Sequence, residues 1–368
     1  MKMIHCADLH LDSKLNTHLN PEKRKERRAE LLNTFRRMIQ FGREQQVEAV
    51  LIAGDLFDTN IISEAAARTV RQVIEDYPEI CFYYLKGNHD DLDYFQGLDS
   101  IPDNLKLFGE SWQYYTQTGQ KGKVVIAGAE LNGKNQQELF ESLSLHPDGI
   151  NIVMLHGQEA EYKGADEEAV IPLRKLKNKG IDYLALGHVH SFKEGRLDAR
   201  GIWCYPGCLE GRGFDECGEH GFVLLEMDEE TGICEPEFIP FARRNLYIES
   251  VDVSGCSCTE EAGNRVEQAL KESAYQHRHM IKIILTGMVE TQAEFNLYLL
   301  KKRLEDRFYY VKIQDETRFE TDYSRYMDDE TLAGEYVRMI WNAMEIPKEE
   351  KAVLIRYGMQ ALAGEEIE

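Results

Sequence analysis

The chain has 368 residues, of which 43% are hydrophobic and 29% charged, a composition typical of globular proteins and unlike that of disordered or fibrous ones. The formal net charge is −22, from 43 Lys and Arg against 65 Asp and Glu, which argues against a protein that coats nucleic acid because phosphate contacts come from Lys and Arg. No apolar run reaches the roughly 18–20 residues of a membrane span, and the first residues lack the apolar core of a signal peptide. We therefore expect a cytoplasmic protein with no membrane segment, long enough for two or more domains.

Two helices are predicted early in the chain. Asn20 followed by Pro21 is a helix-start signal, and apolar residues recur at helical spacing through about residue 45. A second helix is expected from Ser63 to about Tyr77, directly before a proline. A further helix is expected around Val170–Lys179.

Apolar, β-rich runs lie between these helices and resemble buried parallel strands. They read MIHCA, VEAVLIA, ICFYYLK, INIVMLH and IDYLALG. Strand and helix alternate in this way through about residue 240, which predicts an α/β sheet protein.

Polar residues able to bind metal follow each of these five strands. They are Asp8 and His10, Asp55, Asn88 and His89, His156, and His188 and His190. Because ligands gather beyond the carboxyl ends of parallel strands, we expect these residues to converge on one site.

Two adjacent divalent metals would need the residue types found at these strand ends. Asp55 suits a carboxylate shared by both metals, Asp8 and His10 can hold one of them, and Asn88 offers a neutral carbonyl oxygen. The remaining imidazoles complete the set: His156, His188 and His190. Each fragment alone has an ordinary explanation, since Asp-x-His is commonly an Asx turn and His-x-His a surface or core pair.

Two other clusters have ordinary explanations. Cys204, Cys208, Cys217 and His220 can be drawn as a zinc tetrad, but their spacing matches no common paired-cysteine motif, so we interpret the thiols as buried or idle. The basic run KRKERR at 23–28 is either a solvated helix face or a local contact to a phosphate backbone.

The chain changes character after residue 245. A small α+β unit is expected at about 246–325, with helices near Thr259–Ser273 and Gln292–Arg307. The tail from Asp329 to Leu362 is predicted to form two amphipathic helices joined near Pro347. One apolar face of this segment would carry Leu332, Tyr336, Met339, Ile340 and Met344. Such a face either packs within the chain or docks a partner.

The order DxH, GDxxD, GNHD, HG and GHVH, each behind its own hydrophobic run, resembles the calcineurin-like metallophosphoesterase superfamily. The resemblance implies an α/β protein built as a four-layer α/β/β/α sandwich, with a smaller α+β capping domain and C-terminal helices. The corresponding divisions are a metallophosphoesterase nuclease domain at 1–242, the capping domain at 246–325 and a helical segment at 326–368.

Longer stretches narrow the resemblance. ADLHLD, AGDLFDTN, LKGNHD and the segment at 205–228 are similar to the SbcD branch of DNA repair exonucleases, including its shorter YhaO-like members. This implies a two-metal phosphodiesterase, with manganese the expected ion and magnesium or iron alternatives, acting on DNA. It also implies an SMC-like, SbcC-type ATPase that docks on the last helices, and a homodimer.

The family's functional residues map onto the motifs. The first metal would be held by Asp8, His10, Asp55 and His190, and the second by Asp55, Asn88, His156 and His188. A metal-bridging hydroxide would attack the phosphodiester. His89 would face the phosphate as the catalytic residue that assists the leaving oxygen, and Asp90 would orient His89 or another ligand.

Two positions depart from the family pattern. Asp58 stands where archaeal and eukaryotic relatives often have a second phosphate-facing histidine, so we expect it to support the site structurally. Cys208 replaces the serine usual after Pro-Gly. Two alternative functions remain open: hydrolysis of a small phosphoester or nucleotide, and a metal-stabilised scaffold for an ATPase. The sequence leaves open exonuclease against endonuclease action, polarity, DNA against RNA, and the oligomeric state.

Overall fold

A computed structural model describes most of the chain. The described residues are 1–15, 19–58, 62–90, 95, 101–119, 122–159, 170–271, 273, 275–290, 293–319 and 324–363. They group into a first unit, Met1–Leu246, and a second unit, Tyr247–Glu368. The three-part division into 1–242, 246–325 and 326–368 stays a prediction.

The first unit contains two six-stranded sheets. The first sheet has the order β14-β13-β1-β2-β3-β4, and the second has the order β11-β12-β10-β7-β6-β5. Their strands are β1 (Lys2–Cys6), β2 (Ala49–Ala53), β3 (Cys81–Leu85), β4 (Leu105–Leu107), β5 (Gln113–Thr118), β6 (Lys123–Gly128), β7 (Ile150–His156), β10 (Tyr183–Gly187), β11 (Lys193–Arg196), β12 (Ile202–Tyr205), β13 (Gly221–Met227) and β14 (Cys234–Pro240). Two short strands pair separately: β8 (Gln158–Glu159) and β9 (Val170–Ile171).

Each sheet contains four parallel strands; the first has two antiparallel strands on one side, β13 and β14, and the second has one at each edge, β11 and β5. In the first sheet β1 to β4 run parallel, and in the second β6, β7, β10 and β12 do. Parallel strands covered on both faces are apolar throughout, which explains why the strand of sequence AVLIA is buried at every residue.

The first unit has four layers. Helices α1 (Pro21–Glu44) and α2 (Glu64–Asp76) cover the first sheet, where Phe35 and Ile52 share one buried cluster. Leu51 points to the opposite face and joins Met154 in a cluster between the two sheets. On the far side of the second sheet, Phe140 of α3 (Gln136–Ser142) packs with β7 and β10. The predicted α/β/β/α sandwich is therefore confirmed.

The two early helices begin where their capping residues predict. Asn20 accepts a hydrogen bond from the backbone N of Lys23 at 2.8 Å, and Pro21 occupies the first turn. Ser63 caps α2 in the same way. Both predicted helices are confirmed.

The basic run at 23–28 is partly turned inward. Arg27 is 1% exposed, and its guanidinium contacts Glu210 at 3.3 Å and the carbonyl of Gly211 at 2.8 Å. Arg28 pairs with Asp12 at 2.9 Å. These two arginines are engaged within the protein, whereas Lys25 of the same run is exposed.

The helix predicted around Val170–Lys179 is wrong. Val170 and Ile171 form β9, and only Leu173–Lys175 closes a 3₁₀ turn. Pro172 precedes this turn, and Asn178 follows it with a φ of 60°. The segment between proline and a left-handed residue is too short for an α-helix.

The second unit has a three-stranded sheet with the order β15-β16-β18. Its strands are β15 (Leu246–Asp252), β16 (Met280–Thr286) and β18 (Tyr310–Asp315), with a separate pair β17 (Met288–Val289) and β19 (Arg318–Phe319). Helices α4 (Thr259–Lys271) and α5 (Leu297–Glu305) contribute to its apolar core. Helix α4 confirms the helix predicted near Thr259–Ser273. Helix α5 begins later than predicted, directly after its capping residue Asn296. The predicted start, Gln292, lies outside the described residues.

Helices α6 (Ser324–Met327), α7 (Leu332–Asn342) and α8 (Lys348–Ala363) follow. Three residues of the predicted apolar face, Leu332, Met339 and Met344, are 67%, 62% and 99% exposed, so this part of the face does not pack within the described chain. The buried contact joins Val337 to Ile355, because α6 and α8 pack on the flank of α7 that carries Val337. Among the described residues, no helix has both the length and the apolar character needed to span a membrane.

Candidate metal centre

The polar residues after five parallel strands meet at one place, as predicted. Strands β1, β2 and β3 of the first sheet and β7 and β10 of the second deliver them. A continuous series of contacts, given below, links all seven predicted metal-binding side chains: Asp8, His10, Asp55, Asn88, His156, His188 and His190. The convergence is therefore a property of the fold.

One half of the centre, the His10 half, consists of Asp8, His10 and His190. The Nε2 atoms of the two histidines face each other at 3.2 Å, and Nε2 of His190 lies 3.9 Å from Asp8 Oδ1. One ligand atom from each of the three residues lies within 4.8 Å of the others. Such spacing fits a single cation between them.

The other half, the His156 half, consists of Asn88, His156 and His188. The side-chain oxygen of Asn88 lies 2.9 Å from His156 Nε2 and 3.3 Å from His188 Nδ1. The backbone N–H of His188 also donates to both carboxylate oxygens of Asp8 at 3.0 Å, which connects this half to the first.

Asp55 lies between the two halves. Its Oδ2 is 3.5 Å from His156 Nε2 and 3.8 Å from His10 Nε2, while Oδ1 accepts a hydrogen bond from the backbone N–H of His89 at 2.9 Å. Asp8 is also central, because it belongs to both groups of ligand atoms that lie within 4.8 Å, the second being Asp8, Asp55 and His156. Two carboxylates are thus available to both halves.

The centre favours positive charge. Burial opposes ionisation of Asp55, yet His156 and His10 outweigh burial and hold its pKa well below the ordinary value. Burial likewise opposes protonation of His156, but the carboxylates of Asp55 and Asp8 raise its pKa to about 9. A buried site that stabilises carboxylates and attracts protons to imidazole fits a bound cation. Carboxylate and amide oxygens with imidazole nitrogens suit manganese, iron or magnesium.

The backbone at the centre is strained. Asp8, His10, Asp55 and His188 have φ values of 50°, 41°, 50° and 103°, in the region that non-glycine residues rarely adopt. Each such residue costs on the order of 1–3 kcal/mol, and such strain concentrates at functional sites. The sharp turns aim successive side chains back over the strand ends.

Glycines in the motifs provide space for these side chains. A Cβ at Gly54, whose φ is 93°, would lie 2.1 Å from His156 Nδ1, and a Cβ at Gly87 would lie 2.1 Å from Asp55 Oδ1. The glycine before each polar residue therefore allows a strand end from one motif to approach a side chain from another.

Asp90 contacts the loops that carry the ligands. Its buried carboxylate accepts hydrogen bonds from the backbone N–H groups of Leu56, Phe57 and Gly87 at 3.1, 2.9 and 3.0 Å. It thereby joins the turn after Asp55 to the turn before Asn88. Its contacts support two ligand-bearing loops through their backbones.

The sequence reasoning missed two residues beside the centre. Glu216 Oε1 lies 2.7 Å from His190 Nδ1, and Arg212 pairs with both Glu216 and Asp58 at 2.8 Å. The expectation that Asp58 supports the site stays a prediction. The signal available in the sequence was an arginine and a glutamate four residues apart in the segment GRGFDE.

The cysteines of the candidate zinc tetrad are not among the side chains of the metal centre. Cys208 Sγ is 3.2 Å from His220 Nδ1, and both are buried, whereas Cys217 is exposed and donates to the carbonyl of Phe214. Within the described residues, the two groups of three metal-capable side chains contain no cysteine.

A model of the calcineurin-like phosphoesterase family matches residues 1–192. The chain therefore belongs to this family of metal-dependent phosphoester hydrolases, as its motifs and strand-end centre predicted.

Two curated relatives and one solved structure show the range of similarity. The uncharacterized metallophosphoesterase YhaO of Bacillus subtilis is 28% identical over 237 residues, covering 62% of this chain and 57% of YhaO. The DNA double-strand break repair protein Mre11 of Methanopyrus kandleri is 30% identical over 298 residues, covering 73% of this chain and 63% of that protein. The chain thus spans less than two thirds of either relative. The structure of TT1561 from Thermus thermophilus matches 64% of this chain and 98% of its own at 13% identity, with a TM-score of 0.42.

Proposed function

We propose that this chain hydrolyses DNA phosphodiester bonds with the help of two divalent ions, manganese being the expected metal. The observation that carries the proposal is the position of Asp55, whose Oδ2 lies 3.5 and 3.8 Å from histidines of the two halves. A carboxylate between two sets of nitrogen and oxygen ligands is the arrangement that a two-metal hydrolase requires.

Each half would hold one ion. The first ion would be held by Asp8, His10, Asp55 and His190, and the second by Asp55, Asn88, His156 and His188. When bound, the ions supply charge neutralisation at the phosphate and a water of lowered pKa. The protein's part is to fix the ligands in place before the substrate arrives.

His89 is proposed as the catalytic residue. Its side chain is exposed, its ring lies 5.3 Å from the ring of His10, and its backbone N–H is fixed by Asp55. An imidazole at the rim of the centre is close enough to meet a phosphate held there. We assign it the proton that the departing sugar oxygen takes up.

DNA is the proposed substrate because a relative at 30% identity is named a DNA double-strand break repair protein. A second candidate, a small phosphoester or nucleotide, is favoured by a different observation. The net charge is −22, and Arg27 and Arg28 of the basic run are engaged by carboxylates, which reduces the positive charge available to a phosphate backbone.

The second unit supplies the accessory proposals. We assign residues 246–325 a capping role over the substrate and residues 326–368 the docking of an SMC-like, SbcC-type ATPase. The exposed Leu332, Met339 and Met344 support docking at α7. A homodimer belongs to the same set of proposals, and a scaffold role without catalysis is the competing one.

The test uses the purified full chain, stripped of metal and reloaded with manganese, magnesium or neither. End-labelled duplex and single-stranded DNA are incubated beside a chromogenic phosphodiester. Ladders of shortened DNA that depend on manganese are expected. Cleavage of the chromogenic ester with intact DNA would instead favour the small-ester function. A metal-loaded chain that cleaves neither would refute hydrolysis and leave the scaffold role.

A further inference from the structure

The two histidines of the His10 half are contacted from behind by carboxylates. Glu216 Oε1 lies 2.7 Å from His190 Nδ1, and Asp58 Oδ1 lies 3.0 Å from His10 Nδ1. At His190, an Nδ1–H donated to Glu216 leaves Nε2 free of its proton, whereas Asp58 approaches His10 Nδ1 without an aligned hydrogen bond. The Nε2 atoms of the two histidines face each other at 3.2 Å in the centre.

One guanidinium joins the two carboxylates. Arg212 donates from Nη1 to Asp58 Oδ1 and from Nη2 to Glu216 Oε1, both at 2.8 Å. Its Nε and its backbone N–H also donate to Glu216, at 3.2 and 2.7 Å. With 19% of its side chain exposed, Arg212 is largely shielded from water, so these charge-assisted bonds are stronger than exposed ion pairs.

The segment just before Arg212 is tied to helix α1. Glu210 accepts from Thr34 Oγ1 at 2.7 Å and from Arg27, and the carbonyl of Gly211 accepts from Arg27 at 2.8 Å. Thr34, Arg27 and Glu210 are each at most 2% exposed. The backbone just before Arg212 is thus held to α1 by buried contacts.

We propose that Arg212 is the positioning residue of the His10 half: by holding Asp58 and Glu216 it orients His10 and His190 with Nε2 toward the first ion. The inference rests on the proposed metal centre. Loss of Arg212 leaves two partly buried carboxylates without their cation, which frees both to move away from the imidazoles. The His156 half is independent of this device, because His156 Nδ1 lies 2.9 Å from the backbone carbonyl of Ala53.

The test measures the number and the affinity of the manganese sites in the full chain. Metal-free wild type, Arg212→Met and Arg212→Lys are titrated with Mn²⁺ by calorimetry, with electron paramagnetic resonance reporting free ion. Arg200→Met is the matched control. Arg200 lies in the same unit and donates hydrogen bonds to Asp182 from Nε and Nη2 at 2.7 Å. Its loss removes a comparable ion pair outside the centre.

Two sites are expected in wild type and in Arg200→Met. In Arg212→Met one site keeps its affinity and the other weakens by about 10–100-fold, the usual effect of removing a residue that supports a ligand. Arg212→Lys, which keeps the charge without the planar fork, recovers part of that affinity.

Two wild-type affinities in Arg212→Met would overturn the positioning role alone. A wild-type chain that binds no Mn²⁺ would overturn the proposed function as well, so the two failures are distinct. If Arg212→Met does not fold, Glu216→Leu takes its place, because it removes both the acceptor oxygen beside His190 and the charge that Arg212 contacts. Its retention of both wild-type affinities would also overturn the inference.

Discussion

The two halves of the centre are supported in different ways. In the His156 half the support is backbone: the carbonyl of Ala53 contacts His156, and Gly54 leaves room for the ring. In the His10 half the support is made of charged side chains, Asp58 and Glu216, that another side chain holds. Both supports join residues far apart in the sequence, but the first depends on the backbone conformation after β2 and the second on the charges of side chains.

The difference predicts how each half responds to substitution. A change that alters backbone conformation should affect the His156 half first, and a change of charge should affect the His10 half first. Asp55 and His89 are not assigned to one half. Asp55 faces histidines of both halves, and His89 donates its backbone N–H to Asp55.

The largest effect is expected from Asp55→Ala. Because Oδ2 of Asp55 faces histidines of both halves, the variant should lose both ions and at least about 10³-fold in hydrolysis. Metal content after gel filtration and the rate of diester cleavage are the measurements. Asp198→Ala, a turn carboxylate of the same unit, is the control and should keep both ions. Two retained ions in Asp55→Ala would remove it from the bridging position.

His89→Ala should separate metal binding from turnover. Removal of a general acid typically costs about 10²–10⁴-fold in rate, and no proposed ligand is lost, so both ions should remain. The exposed His146 provides a control substitution to alanine. Full activity with unchanged metal content would exclude His89 from proton transfer.

Gly54→Ala tests the backbone support of the His156 half. The new Cβ would lie 2.1 Å from His156 Nδ1 at a φ of 93°, so we expect one manganese site to weaken by about 10–100-fold while the other is kept. Gly218→Ala is matched in strain, with a φ of 103°, but its Cβ would have nothing within 4 Å. Titration with Mn²⁺ and thermal unfolding compare the two. Equal behaviour would mean that strain, and not the contact with His156, decides the outcome.

The α/β sheet and the meeting of the seven strand-end residues could be predicted because they depend on local patterns, whereas the four-layer sandwich was implied by the resemblance to the family. A run such as AVLIA is apolar at every residue when both sheet faces are covered, and parallel strands bring their carboxyl ends to one edge. The helix around Val170–Lys179 failed because Pro172 and a left-handed Asn178 restrict the segment more than its composition suggests.

The supports of the His10 half could not be predicted in the same way. Glu216 contacts His190 from a loop that is anchored to α1. The anchor is the hydrogen bond from Thr34 to Glu210, two residues 176 positions apart. No spacing rule connects such positions. The packing of α7 could not be decided for a similar reason, since periodicity shows that a face is apolar but not which neighbour will cover it.

The carboxylates behind the His10 half also decide what acid does to this protein. Although burial works the other way, His10, Ser13 and Arg212 lower the pKa of Asp58 to about 2, and His190 and Arg212 hold that of Glu216 lower still. Carboxylates with lowered pKa contribute stability that is complete above their ordinary value of about 4 and is lost only as the pH falls through the lowered one. Because the carboxylates of Asp55 and Asp8 raise the pKa of His156 to about 9, protons compete with metal for this imidazole while the anions of Asp58 and Glu216 are still charged. Mild acid should therefore remove the ions and leave the ligands and their supporting carboxylates in place, so that the centre can bind metal again.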